Sequence, residues 1–333
     1  MEIVKVDPYD EAMVAAWHAA YTEGSDADRV APTTMARHEI AVGLRPDRHA
    51  ERWEAYAAIE SGRVVGALMV RLPLLDNRTL LMFSLAVPPA ERRRGIGSAL
   101  YQKVVELARA EGRTSLLTEL HEPYQSTGPV DGRRFAERRG FTQRIEDLHQ
   151  VLDLPVDPNL LDRLAADAAA HHAGYQTRTW VGPCPDDLVS KYLVLKSRFM
   201  TEVPLGELDM EPEHWDEQRL RDDERRRAAQ GRTLYTAVAA APDGDLVGFT
   251  VLSTAAHDPG KVFQNDTMVL PEHRGHRLGV ALKVANLRQL DPARIQGCTL
   301  HTWNAASNRP MLAVNTALGF RPVERMTEWQ RDL

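Results

Sequence analysis

The feature that most constrains this chain is that it repeats itself. The stretch Pro89-Ala90-Glu91-Arg92-Arg93-Arg94-Gly95-Ile96-Gly97-Ser98-Ala99-Leu100 returns as Pro271-Glu272-His273-Arg274-Gly275-His276-Arg277-Leu278-Gly279-Val280-Ala281-Leu282, an offset of 182 residues (271 minus 89). A second landmark, Arg139-Gly140-Phe141, returns as Leu318-Gly319-Phe320 at an offset of 179 (319 minus 140). Two landmarks that keep nearly one spacing point to duplication, so two copies of one domain are expected. The 333 residues are enough for two cores of ordinary size.

The local patterning repeats with the landmarks. In the first half, 55–60 and 64–72 read as strands turned at Ser61-Gly62, and Asp76-Asn77 turns into a third strand over 80–87. Ile96, Leu100, Val104 and Leu107 have helical spacing and predict a helix over 95–110, closed by Gly112. A strand over 115–120, a helix over 132–139 and a strand over 141–152 follow. The second half gives strands over 234–240, 246–253 and 262–269, a helix over 275–290, a strand over 295–303 and a helix over 306–318. The fold class is therefore α/β, with a mixed α+β sheet in each of two tandem domains. The domains are expected at 1–155 and 175–333, joined by an Ala-rich helical connector over 156–174 that starts after Pro155 and Pro158.

Composition narrows the partners. A formal net charge of -6 and a pI near 6.1 give no overall basic field for a polyanion, so nucleic acid is not an expected partner. Cys184 and Cys298 stand far apart with no Cys/His cluster around them, which suits a reducing compartment, packing roles and no metal. The start MEIVKVDPYDEAM lacks a basic stretch followed by an apolar one, and no run of about 18 apolar residues follows. A cytoplasmic protein without membrane contact is expected, as a monomer or a homodimer.

A strand that enters an Arg-rich, Gly-containing turn and then a helix gathers unpaired backbone N–H groups at a positive helix end, which suits phosphate or pyrophosphate. The dinucleotide fingerprint is excluded because Leu100 stands where its third glycine would be, and no Gly-Lys-Ser/Thr marks a Walker loop. A helix cap with solvated arginines is the plainer reading of the same residues.

With Arg92, Gly95 and Gly97 in the spacing Arg-x-x-Gly-x-Gly, and with Gly-Phe closing a later helix, both halves resemble the GCN5-related N-acetyltransferase (GNAT) family. The resemblance spans nearly the whole chain, and tandem members of the family include mycothiol-pathway acyltransferases. It implies an acyl-CoA site in each half, with acetyl-CoA as the natural donor. In the first half the pyrophosphate would meet the amides of Arg93, Arg94, Gly95, Ile96, Gly97 and Ser98 and the Arg92 side chain. In the second it would meet Arg274, Gly275, His276, Arg277, Leu278, Gly279 and Val280. The pantetheine arm would pair with Leu85, Ala86 and Val87, and with Met268, Val269 and Leu270, while Asn308 matches a family Asn ahead of the last helix. Arg277 stands where the family has glycine, and a first helical turn is expected to need no positive φ there. The tyrosine that many members place before Gly-Phe is Ala136 in one half and Asn315 in the other, so Asn315 takes its place among the candidate catalytic positions.

An amine must be neutral to attack a thioester, so a carboxylate is expected near the acyl group. The strand over 80–87 has none, whereas the strand over 262–269 has Asp266; the next strands carry Glu119 and His121 in one half and His301 in the other. Asp266 is the expected base, with His301, Asn315 and Glu119 as further candidates, and catalysis is expected in the second half. His301 reads equally well as a core histidine. The segment 200–212 bears the four carboxylates Glu202, Glu207, Asp209 and Glu211 and no basic residue, and is expected to overhang the acceptor site of the second half and draw in a cation, a solvated acidic loop being the plainer reading. The resulting function is an acyl-CoA-dependent N-acetyltransferase for a small-molecule amine. A catalytically degenerate CoA-binding regulatory or scaffold module, and a protein lysine acetyltransferase, are the other readings.

Overall fold

Residues 53–58 and 65–70 are buried without interruption, which for strands means cover on both faces. The computed structural model describes residues 1–46, 49–126 and 131–333. Its elements, in chain order, are β1 (Glu2–Lys5), α1 (Glu11–Asp26), α2 (Arg37–Gly43), β2 (Glu51–Glu60), β3 (Arg63–Pro73), β4 (Leu80–Ala86), α3 (Ile96–Ala110), β5 (Ser115–Pro123), α4 (Asp131–Glu137), β6 (Thr142–Asp153), α5 (Pro158–Ala169), β7 (Gln176–Val181), α6 (Val189–Glu202), α7 (Glu217–Ala229), β8 (Arg232–Ala240), β9 (Leu246–Ala255), β10 (Lys261–Val269), α8 (Leu278–Leu287), β11 (Thr299–Ala305), α9 (Arg309–Leu318) and β12 (Arg321–Asp332). They form two units. Unit 1 holds Met1–Asp147, Gly206–Glu211 and Val323–Leu333, and unit 2 holds Leu148–Leu205 and Pro212–Pro322.

In unit 1 the strands lie in the order β1-β2-β3-β4-β5-β12. Every neighbouring pair is antiparallel except β4 and β5, which run parallel. Side chains alternate with period two. Ala55, Ala57, Ala67 and Met69 pack with Val14 and Trp17 of α1, while Tyr56, Ala58, Leu68 and Val70 pack with Ile96, Leu100 and Val104 of α3. Each large apolar side chain buried this way contributes about 1.5–3 kcal/mol, so apolar spacing alone fixes both helices to the sheet. α3 approaches closely because Gly66 has no side chain; a Cβ there would lie 2.6 Å from Ile96 Cγ2.

Unit 2 has the order β11-β10-β9-β8-β7, with β10 and β11 parallel and the others antiparallel. Residues 148–153 of β6 belong to this unit, next to β11. Tyr192 and Leu195 of α6 and Leu220 of α7 pack with Val238, Phe249 and Val251. Leu161 of α5, Val284 and Leu287 of α8 and Leu318 of α9 pack with Leu252, Val262 and Leu300. The connector helix α5 is thus a core element of unit 2.

Unit membership does not follow the two halves of the sequence. β12 pairs with β5 in unit 1, from Glu324↔Pro123 to Asp332↔Ser115. The sequence pattern shows no strand beyond Phe320, because charged and apolar residues do not alternate cleanly there. The strand forms because its buried polar groups find partners: Glu324, fully buried, accepts from Arg29 Nη2 at 2.7 Å. The helix expected over 275–290 spans only Leu278–Leu287, and the strand expected from 295 starts at Thr299. Left-handed residues at Gly275 and Arg277 hold the first turn back.

Candidate active site

Between β4 and α3, Arg93 (φ 64) and Gly95 (φ 88) are both left-handed. The first hydrogen bond into the helix runs from Ala99 N–H to Gly95 O at 3.0 Å. The amides of 93–98 therefore precede the helical ladder and collect at its positive end, a geometry that fits a phosphate. Arg92 does not point its donors there. Its Nε donates to Val87 O (3.1 Å), Nη1 to Asp28 Oδ2 (2.7 Å) and Nη2 to Gly24 O (3.3 Å), so it ties the loop to the end of β4 and to α1. Arg94 pairs with Glu60 at 2.6 Å and with Glu91, leaving Arg93 as the exposed loop cation with no ion pair among the described residues.

β4 and β5 are paired only from Leu80↔Ser115 to Met82↔Leu117. Beyond that point β4 keeps β3 as a neighbour, as in Ser84↔Met69 and Ala86↔Ala67, while its other edge leaves β5. Leu85 and Ala86 lie on this open edge and Val87 follows it. An open edge offers backbone donors and acceptors to an extended chain that carries amides, as pantetheine does.

The cleft at the parting of β4 and β5 is lined by Met69, Arg71, Met82, Phe83, Ser84, Leu117, Thr118 and Glu119. One carboxylate, Glu119, lines it, and two others interact with Glu119. Glu119 of β5 stands directly opposite Glu328 of β12 in the strand register, and Asp147 of β6 interacts with both. Burial and then the charge of Glu119 push the Asp147 carboxyl up to about 6. Burial, Glu119 and Asp147 push the Glu328 carboxyl up to about 8, against the pull of Arg71. Asp147 Oδ1 is buried and has no hydrogen-bond partner among the described residues. On the α1 side, Tyr21 lies beside Ser84 and Ser25, and burial pushes its phenol up.

Of these groups, only Glu119 was among the residues that sequence reading brings forward. Asp147 falls within a stretch read simply as a strand. Glu328 is 209 residues from its partner (328 minus 119), on a strand with no sequence signal. Only knowledge that β12 belongs to unit 1 could have brought the two together.

Unit 2 repeats the loop with its glycines displaced. Gly275 (φ 87) and Arg277 (φ 53) are left-handed, at the places of Arg93 and Gly95. The expectation that Arg277 needs no positive φ is therefore overturned: the residue caps α8 from the left-handed region, and its guanidinium is ion-paired with Asp167 of α5. Arg274 copies Arg92, its Nε donating to Val269 O at 3.1 Å. His276 lies 3.1 Å from His171 O, and Ala281 N–H donates to Arg277 O at 3.1 Å, so the amides of 275–280 precede this ladder too. β10 and β11 part after Phe263↔His301, leaving Met268, Val269 and Leu270 at and beyond the open end of β10. Asn308 caps α9, its Oδ1 accepting from Met311 N–H.

The acceptor side of unit 2 is built differently. Asp266 is ion-paired with Lys196 at 2.7 Å, and the Lys196 ammonium lies 4.4 Å from the Trp215 ring centre. His301 is buried, 3.0 Å from His149 Nε2, in a stack with Phe263 and Trp303. By strand register Phe263, His301 and Trp303 take the places of Met82, Leu117 and Glu119, so rings stand where unit 1 has its cleft. Asn315 is buried; its Oδ1 accepts from Lys283 Nζ at 2.6 Å, and its Nδ2 donates to Gln150 and Asn304. Burial pushes the Lys283 ammonium down to about 7.

The acidic segment expected over the second half divides between the units. Glu202 ends α6 in unit 2 and accepts from Arg198 at 2.7 Å. Glu207 and Asp209 belong to unit 1, where Glu207 N–H donates to Arg144 O (3.0 Å) and Asp209 N–H to Gln330 Oε1 (3.0 Å). Gly206 makes this path possible, since a Cβ there would lie 2.5 Å from Arg144 O. Among the described residues no group of three or more His, Cys, Asp or Glu is arranged to hold a metal ion, and no helix is long and apolar enough to cross a membrane.

Residues 15–141 and 202–320 match the model of the Acetyltransferase (GNAT) family. A solved tandem GNAT protein from the clavulanic acid biosynthesis pathway is 31% identical and superimposes with a TM-score of 0.79 over 99% of this chain and 98% of that one. The mycothiol acetyltransferase of Sanguibacter keddieii is 29% identical over 243 residues, 71% of this chain and 69% of its own. A GCN5-related N-acetyltransferase from Sphaerobacter thermophilus, 16% identical with a TM-score of 0.67 over 99% of this chain and 95% of its own, shares the fold.

Proposed function

This chain belongs to the Acetyltransferase (GNAT) family, whose members are acyl-transferring enzymes, and from that premise we propose that unit 1 moves an acetyl group from acetyl-CoA to the amine of a small cationic acceptor. The observation that carries this reading is Glu119 in the cleft where β4 leaves β5, coupled to the carboxyls of Asp147 and Glu328. CoA supplies the activated thioester; the amides of 93–98 and the open edge of β4 hold it. A protonated amine is drawn by the charge on Glu119 and gives up its proton to that carboxylate before it attacks. Asp147 and Glu328, raised to about 6 and about 8, exchange protons near neutral pH and can pass that proton on to water. Asp266, the base expected from the sequence, would first have to part from Lys196.

Relatives named for mycothiol and for a clavulanic acid pathway favour a small molecule over a protein lysine. Unit 2 holds a second CoA through the amides of 275–280 without transferring its acyl group, because the Phe263, His301 and Trp303 rings occupy its acceptor side. The test is release of CoA thiol from acetyl-CoA over a panel of small amines, with lysine peptides as a separate arm. A small amine is expected to react, and Glu119→Gln to slow it by about 10²- to 10⁴-fold with CoA affinity nearly unchanged. Turnover with lysine peptides alone would overturn the small-molecule reading.

A further inference from the structure

Arg71 of β3 lines the same cleft as Glu119 and has no part in the chemistry above. Its side chain is half-buried, with the guanidinium 5.7 Å from the Trp53 ring centre, and among the described residues it makes no ion pair and no hydrogen bond. Its charge pulls on the Glu328 carboxyl through space, but the two groups do not pair. Arg71 is opposite Met82, which is opposite Leu117, so it stands level with the last rung of the β4–β5 ladder. Glu119, two residues beyond Leu117, shares that face of the sheet. With β4 between them, β3 and β5 lie about 10 Å apart at this level, so a cation and a carboxylate occupy opposite walls of one cleft. Unit 2 has neither charge: by strand register Ser253 and Trp303 take the places of Arg71 and Glu119.

We propose that the acceptor of unit 1 is a short amino acid, whose carboxylate binds Arg71 while its ammonium goes to Glu119, an inference that rests on unit 1 being the transfer site. The cation drawn to Glu119 is then one end of a zwitterion. A half-buried guanidinium has lost part of its hydration, and a carboxylate forked across its N–H donors returns two charge-assisted hydrogen bonds. Had Arg71 served only to neutralise the carboxylates, an ion pair with one of them would be the favourable arrangement, and none forms among the described residues. The Trp53 ring, opposite Arg71 in the β2–β3 register, packs beside the guanidinium and reduces the freedom it must give up on binding. The neighbours also decide which anion fits. Asp147 and Glu328 interact with Glu119 and add negative charge on this side, so a singly charged carboxylate is held at less cost than a doubly charged phosphate.

The test measures release of CoA thiol from acetyl-CoA with α-amino acids, β-alanine and γ-aminobutyrate, each beside its own carboxamide, and with phosphoethanolamine as a separate arm. At least one acid is expected to exceed its carboxamide in kcat/KM by about 10- to 10²-fold. Arg71→Gln is expected to raise KM for that acid by about the same factor, with kcat, CoA affinity by calorimetry and the carboxamide rate each within about twofold. Arg71→Lys, which keeps the charge without the fork, is expected to recover part of the loss. Glu119→Gln is expected instead to lower kcat for acid and carboxamide alike. If no acid exceeds its carboxamide, absence of turnover with both included, or if Arg71→Gln leaves KM for the acid unchanged, the assignment is overturned. Phosphoethanolamine outrunning every acid overturns it in favour of a phosphate. In each of these cases loss of transfer on Glu119→Gln keeps unit 1 as the transfer site; if Glu119→Gln leaves transfer intact, the choice of unit 1 falls and takes the role of Arg71 with it.

Discussion

Glu119 and Glu328 face each other across an antiparallel strand pair, where like charges are destabilising, and the conflict is relieved when Glu328 keeps its proton. That has a measurable sign. The carboxyl titrates near 4.5 in the unfolded chain and about 8 in the folded one, so between those values the folded state binds the extra proton. Its stabilising contribution is fully present below about 4.5 and is lost as pH rises through about 8, with a slope no steeper than about 1.4 kcal/mol per pH unit. Glu328→Gln, which keeps the shape and cannot ionise, is expected to flatten the decline seen in unfolding midpoints from pH 5 to pH 9. An unchanged pH dependence would mean that Glu328 is not held protonated. None of this was legible locally: Glu119 is visible as a carboxylate on a strand, but its environment comes from Glu328 and Asp147, and register across distant strands is not written in either segment.

The repeated loop is the element whose existence the sequence displays best and whose conformation it displays least. Arg-x-x-Gly-x-Gly announces a helix start, and both helices begin there. Motif glycines do not all answer a backbone need, however. Gly95 is left-handed, whereas Gly279 lies inside α8 with ordinary helical geometry, and the left-handed place in unit 2 is filled by Arg277. A Cβ at Gly95 or at Gly279 would meet nothing within 4 Å, so conformation alone separates them. Gly95→Ala is expected to destabilise by about 1–2 kcal/mol through left-handed strain, and Gly279→Ala to stabilise by about 0.5–1 kcal/mol through helix propensity. Thermal unfolding of the two variants checks the pair, and equal shifts of one sign would contradict the two conformations. The apolar spacing of α3 and the meander before it were readable because each rests on contacts near in sequence.

At the scale of the molecule, duplication was readable and its consequence was not. Reading each half as a closed domain puts Asp266 on the strand that should hold the thioester and leaves the first half with no carboxylate on that strand, Glu119 standing only on the next one. The units are not the halves: unit 1 takes 206–211 and 323–333 from the second half, and with them Glu328. The acceptor side of unit 2 is filled by the His301, Trp303 and Phe263 stack, and Asp266 is engaged with Lys196. Duplication has therefore left two similar loops of unpaired amides and two unlike settings beside them, and the site proposed for catalysis draws on both ends of the chain. The measurement that bears most directly on it is the acetyl-transfer rate of Glu119→Gln and Asp266→Asn in one assay with one amine. Glu119→Gln is expected to lose about 10²- to 10⁴-fold in kcat, with Asp266→Asn within a few-fold of the native rate. Loss of transfer on Asp266→Asn, with Glu119→Gln retaining it, would contradict the assignment and move the chemistry to unit 2.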